Sequence, residues 1–217
     1  MSSTFSDTER GVAVVIALLM ALLVGAIAAA LVALTTTETL ISAGYRYARE
    51  ASYGAEAALE RGLHDLAAMP DWSPALAEPP GNVTSGFDDG EVAPRAPDGR
   101  TLDLMRLTAD RQRASDVRDG PVVFGADSPR WRLFAHDSVR SLLDSPEASP
   151  GLNLPLYLVV WVADDESDGD GDPAVDSNAR ILVCAVAFGA GGARRSAEAR
   201  IARTDDGGLR VLAWQSQ

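Results

Sequence analysis

The chain has 217 residues, of which 47% are hydrophobic, 6% aromatic and 23% charged, which excludes both a disordered chain and a multi-span membrane protein. With 31 acidic residues against 19 basic ones, the formal net charge is -12, so nucleic-acid phosphates repel this chain and no nucleic-acid partner is expected. Cys184 is the only cysteine, which rules out an intrachain disulfide and a cysteine-rich zinc site; with only His64 and His136, a histidine-rich metal centre is not expected either.

Residues 12–34 read VAVVIALLMALLVGAIAAALVAL, 23 residues without a charged or strongly polar side chain. At about 1.5 Å per residue such a helix spans roughly 34 Å, enough to cross a hydrocarbon core of about 30 Å. A helix is required there, because lipid offers the backbone no hydrogen-bond partner. A secretory signal has a shorter apolar stretch behind a basic start, whereas residues 1–11 carry Asp7 and Glu9 beside Arg10. The segment is therefore expected to be membrane-embedded. Arg10 on one side and Arg46 and Arg49 on the other leave the positive-inside rule undecided. By length asymmetry, the short N-terminal tail is expected to stay in the cytoplasm and the larger remainder to lie outside.

The helix is expected to continue over 35–69. After the polar collar Thr35-Thr36-Thr37-Glu38, Leu40, Gly44, Ala48, Ala51, Ala55, Leu59, Leu63 and Leu66 recur at spacings of three and four, which is one apolar stripe. Arg46, Arg49, Glu50, Glu56, Glu60 and Arg61 fall largely off it. Pro70 stops the run, and Gly44, Gly54 and Gly62 are expected to weaken it.

Arg10-Gly11 directly before a long apolar run resembles a prepilin leader, cut between Gly11 and Val12 by a prepilin peptidase. Thr35-Thr36-Thr37-Glu38, Ala43-Gly44 and Ala51-Ser52-Tyr53-Gly54-Ala55-Glu56-Ala57-Ala58-Leu59 resemble the N-terminal region of PilX-type minor pilins of type IV pili, with the GspK-type pseudopilins of type II secretion as neighbours. The likeness covers about residues 9–63. It implies a pilin-like α+β fold with four parts: a leader (1–11), a transmembrane helix (12–34), its amphipathic continuation (35–69) and a globular β-rich head (70–217). It also implies insertion in the inner membrane with the head extracytoplasmic, then a place in the pilus at the cell surface. The partners so implied are other major and minor pilins, the prepilin peptidase and the inner-membrane assembly platform.

Counting from Val12, the fifth residue is Ile16, where major pilins usually carry a glutamate. A carboxylate in an apolar interior needs a positive partner, taken in pilins to be a neighbour's terminal amine. A subunit without it fits an initiating or tip position. Ile16, Gly25, Ala29, Ala33, Glu56 and Leu59 are the candidate helix-packing residues, small side chains allowing close approach.

The proline- and glycine-rich stretch 70–99 reads as an irregular connection, with an Asn82-Val83-Thr84 glycosylation triplet inside it. Residues 102–113 fit either a short helix or a strand. Strands are expected over 131–135, 156–163, 181–188, 194–203 and 209–214, bounded by turn residues. The order predicts one long helix packed on one face of an antiparallel meander. Cys184, in an apolar strand without a nearby His, reads as core.

Between two of these strands, seven carboxylates occur in the thirteen residues 164–176. Calcium takes six to eight oxygens at flexible geometry, so Asp164, Asp168, Asp170, Asp172 and Asp176 are candidate ligands of a structural calcium. Neither EF-hand frame is complete: one places Pro173 and Ala179 where glycine and glutamate belong, and the other places Val175 at its last position. The alternative is a solvated acidic hairpin loop. No nucleophile elbow, phosphate loop or His-Glu-x-x-His pair occurs, so no enzyme is expected, and neither His64 nor His136 is given a role. Beside a minor pilin or a pseudopilin, a membrane-anchored extracytoplasmic hydrolase or calcium-dependent binding domain stands as an alternative.

Overall fold

A computed structural model of the chain describes residues 7–77, 85–119, 125–143 and 154–217. Residues 1–6 of the leader and the Asn82-Val83-Thr84 triplet lie outside the described residues. The chain divides into two compact units, Met1–Tyr45 and Arg46–Gln217.

In the first unit the chain is helical, as the N-terminal part of helix α1 (Asp7–Ala67), which runs through Gly11 and Val12 without a break. Every residue from 11 to 42 is exposed, Ile16, Ala29 and Ala33 included, and a methyl group on Gly25 would meet nothing within 4 Å. An apolar surface of this kind all round a helix suits lipid or other helices rather than water. Among the described residues, α1 is the one helix long and apolar enough to cross a membrane, with a window of mean hydropathy 3.0. The threonine collar does not interrupt it. The hydroxyls of Thr35, Thr36, Thr37 and Thr39 donate to the carbonyls one turn earlier at 2.8–2.9 Å, so each polar side chain is satisfied within the helix.

In the second unit, five strands form one antiparallel sheet in the order β1 to β5: β1 (Arg132–Ser138), β2 (Leu156–Asp164), β3 (Arg180–Gly189), β4 (Arg194–Arg203) and β5 (Leu209–Ser216). This is the predicted meander, with strand ends within a few residues of expectation. Two irregularities in pairing fall at Leu133/Ala135 in β1 and at Arg200/Ile201 in β4.

One sheet face packs against the C-terminal part of α1. Ala51, Ala55, Ala58, Leu59 and Leu66 meet Leu158, Val160, Val183, Ala185, Ala199 and Ile201 in one buried cluster. Leu40 and Gly44, the first members of the predicted stripe, are exposed, so the sheet-facing stripe begins later. Glu56 is half-buried and Leu59 fully buried. Gly54 and Gly62, expected to weaken the helix, lie on its buried face. A methyl on Gly62 would stand 3.0 Å from Val160 Cγ1, so these positions let backbone approach sheet where a side chain would hold it off.

The opposite face is covered by helix α3 (Leu104–Asp119), which resolves the helix-or-strand ambiguity at 102–113. The long helix packs on one face as predicted, and α3 adds a second helical layer that the sequence left open. Leu102, Leu104, Trp131, Tyr157, Val159, Trp161, Cys184 and Val186 form this second cluster. The helix was hard to see because it meets the sheet through polar groups: Trp161 Nε1 donates to Thr108 Oγ1 at 2.8 Å, and the Arg111 guanidinium lies 4.0 Å from the Trp131 ring centroid and bonds Glu198 of β4. With both faces covered, β2 and β3 are apolar at almost every position, as fully buried strands are.

The described residues just after Pro70 form a short regular element where none was expected. Helix α2 (Ser73–Leu76) follows Trp72, which is fully buried and donates Nε1–H to the Leu66 carbonyl at 2.9 Å. Arg203 donates to the Met69 carbonyl at 2.7 Å, so one carbonyl in the last turn of α1 and one just beyond it find partners in side chains. A short helix α4 (Val139–Leu143) follows β1 directly.

Candidate functional site

The acidic loop joins β2 to β3, and tight turns at Gly169 (φ 75°) and Gly171 (φ 80°) fold it back on itself. Folding brings Asp164, Asp168 and Asp170 together, one oxygen from each within 4.8 Å of the others. Asp164 is 1% exposed, and its carboxyl is pushed up to about 7 by burial and by the charges of Asp168, Asp176 and Asp170, against one lowering contact, the Asp165 N–H at 2.9 Å. Burial likewise raises Asp176.

Asp172 and Asp176 do not join that group. Asp172 accepts from Ala174 N at 3.0 Å and Asp176 from Arg180 N at 3.1 Å. The three convergent aspartates are also engaged within the loop: Asp168 accepts from Ser177 N at 2.8 Å and Asp170 from Asp172 N at 2.8 Å. The run thus caps its own backbone, and Asp127 extends the pattern by accepting from Gly171 N at 2.6 Å. Arg200 of β4 pins the loop's start, 3.2 Å from the fully buried Asp165 and paired with Glu166. Three carboxylates bound in this way offer at most part of the oxygen shell that calcium takes.

A second constellation was not singled out from the sequence. The strand-like segment Phe87–Asp89 runs beside β1: His136 N donates to Phe87 O at 3.0 Å and Asp89 N to His136 O at 3.2 Å. This pairing sets Asp88 and Asp89 against the His136 ring, which is 8% exposed. Nδ1 of His136 lies 2.9 Å from the Tyr157 hydroxyl and 3.1 Å from Asp89 Oδ1, while Nε2 lies 3.4 Å from Asp88 Oδ1. The Tyr157 hydroxyl donates to Asp89 Oδ2 at 2.9 Å. Its pKa is raised by burial first, then by that bond and by the charges of Asp89, Asp137 and Asp88, so it keeps its proton.

The only hint in the sequence was the acid pair Asp88-Asp89. Its meeting with a histidine some fifty residues away depends on sheet pairing, which spacing does not reveal. His64, by contrast, is exposed on α1. Cys184 is fully buried, and burial pushes its thiol up to about 11, in keeping with a core residue. No family model, curated protein or solved structure matches the chain.

Proposed function

We propose that this chain is a minor pilin of PilX type, a subunit that inserts in the inner membrane and takes part in the assembly or initiation of a type IV pilus near the filament tip. The observation that carries the reading is the uninterrupted apolar surface of α1 over residues 12–34, exposed on all sides, in the same helix whose later residues bury small side chains against an antiparallel sheet. Such a surface is stable in lipid and equally stable among other apolar helices. Transfer between the two exchanges lipid contacts for helix packing at small residues such as Gly25, Ala29 and Ala33. Ile16 leaves the chain able to offer its own terminal amine but no carboxylate to a neighbour, which suits a position with a subunit on one side only. Its partners are then major and minor pilins, the prepilin peptidase and the assembly platform. The protein works by assembly, not by catalysis.

Co-expression with a prepilin peptidase, followed by N-terminal sequencing of the membrane-extracted protein, tests the reading. A mature chain beginning at Val12 supports it, and a chain that keeps residues 1–11 overturns it. Co-purification then separates the two machines: capture with pilus subunits supports the pilus, and capture with secretion pseudopilins reassigns the chain to the GspK type.

A further inference from the structure

The hydrogen-bond chain at His136 fixes where its protons sit. Tyr157 has one hydroxyl proton, and Asp89 Oδ2, an acceptor without a proton of its own, lies 2.9 Å away. The tyrosine proton is therefore given to Asp89, which leaves the tyrosine oxygen as an acceptor. His136 Nδ1, 2.9 Å from that oxygen and 3.1 Å from Asp89 Oδ1, must then carry the ring proton. In a neutral imidazole this makes Nε2 a bare lone pair. It faces Asp88 Oδ1, a second acceptor, at 3.4 Å. Two acceptors aimed at each other repel unless a cation lies between them.

Two cations could lie there, a proton or a metal ion. A proton shared as imidazolium to carboxylate draws the heavy atoms to about 2.7–2.9 Å. Two ligands on a tetrahedral zinc, with bonds of about 2.0–2.1 Å, stand roughly 3.3–3.4 Å apart. The separation here, 3.4 Å, leaves room for an ion between the two atoms, and one oxygen of Asp89 also lies within 4.8 Å of both. The back of the ring is also arranged as metal-binding histidines are: Nδ1–H is held by a carboxylate and a hydroxyl, which fixes the tautomer and the ring orientation. Imidazole selects a transition ion over calcium, and Asp88 and Asp89 beside one histidine supply negative charge. Asp88 is half exposed, its side chain at 50%, so the site opens outward. Asp88 and His136 themselves line a groove of ≈ 570 Å³, together with Glu91, Met105, Arg130, Trp131 and Arg132, which gives an ion and its waters access.

We propose that His136 Nε2 and Asp88 bind a divalent transition cation, zinc by preference, with Asp89 and Tyr157 as positioning residues and water in the remaining places. The proposal is independent of the pilin reading and of the acidic loop.

Calorimetric titration of the chelator-treated full chain in detergent micelles with zinc chloride tests it, with cobalt(II) as a spectroscopic reporter. One zinc per chain is expected. Asp88→Asn, conservative in shape and half exposed, is expected to weaken binding by at least about tenfold, and Tyr157→Phe by about 10–100-fold, with far-ultraviolet circular dichroism unchanged. Imidazole nitrogen NMR is expected to show the Nδ1–H tautomer without metal and a shift confined to Nε2 on zinc addition. No binding, or binding that Asp88→Asn leaves unaltered and that therefore sits at His64 or the acidic loop, overturns the proposal. So does an imidazole found doubly protonated at neutral pH, because a proton then fills the gap.

Discussion

A methyl group on Gly54 would lie 2.7 Å from Cδ1 of Leu156, well inside the ~3.5–4.0 Å at which carbon atoms attract. It would also crowd Ala187 Cβ at 3.2 Å and Leu158 Cδ2 at 3.3 Å, so the glycine meets two neighbouring strands at once. Helix α1 reaches the sheet here because this residue has no side chain.

Gly54→Val is accordingly expected to destabilise the unit Arg46–Gln217 by roughly 2–3 kcal/mol through overpacking. Gly44→Val, at an exposed position with nothing within 4 Å, is expected to change stability by no more than about 0.5 kcal/mol. Combining Gly54→Val with Leu156→Ala should cost less than the sum of the two changes, since the second makes room for the first. Denaturant unfolding in micelles, followed by the fluorescence of the buried Trp72, Trp131 and Trp161, measures all of these.

Helix α3 is held to the sheet by a charged contact. Arg111 Nη2 donates to Glu198 Oε2 at 2.5 Å, with the two side chains 18% and 14% exposed, and the guanidinium lies over Trp131. Arg111→Ala removes the close partner of a largely buried carboxylate and, among the described residues, leaves it Arg118 at 3.7 Å, which predicts a loss of about 2–3 kcal/mol. Arg111→Lys restores the charge but not the flat stacking surface, so its stability should fall between alanine and wild type. Equal losses in the two variants would show that charge contributes nothing at this site.

The acidic loop predicts a pH dependence of definite sign. Asp164 holds its proton up to about pH 7 when folded, against about 3.9 for an unperturbed aspartate. The folded form therefore binds a proton more tightly than the unfolded chain, and this contribution to stability is lost as pH rises from about 4 to about 7, then stays level. In the presence of a chelator, Asp164→Asn should raise Tm relative to wild type at pH 8 and flatten the fall between pH 5 and 8. Asp176 shifts in the same direction, so part of the slope should persist in the variant.

Cys184 is expected to be inert in the folded protein. It is fully buried, and a thiol pushed up to about 11 is almost wholly protonated at pH 8. Iodoacetamide at pH 8 should leave it unmodified in the native state and alkylate it rapidly in denaturant. Intact-protein mass spectrometry distinguishes the two, and rapid native labelling would mean that β3 opens far more readily than its burial implies.

The sequence by itself determined the elements whose signal is local. The apolar run 12–34 needs only its own side chains to specify a membrane-length helix. The alternating or continuous apolar strands with Gly and Asp turns specify a meander, because each strand pairs with the next. The stripe from Ala51 to Leu66 already marked the face that meets the sheet. Only the tertiary structure decided what depends on residues far apart in the chain. It placed Gly54 and Gly62 at close approaches, where propensity alone counted them as weak points, and it brought α3 onto the second sheet face through Thr108, Arg111 and Glu198. It turned the aspartates of the β2–β3 loop toward their own backbone N–H groups. It also set Asp88 and Asp89 against His136 and Tyr157 by the pairing of a short segment with β1. Periodicity records which side chains avoid water, whereas a polar contact between distant residues leaves no periodic trace, so chemistry of that kind becomes visible only once the chain has folded.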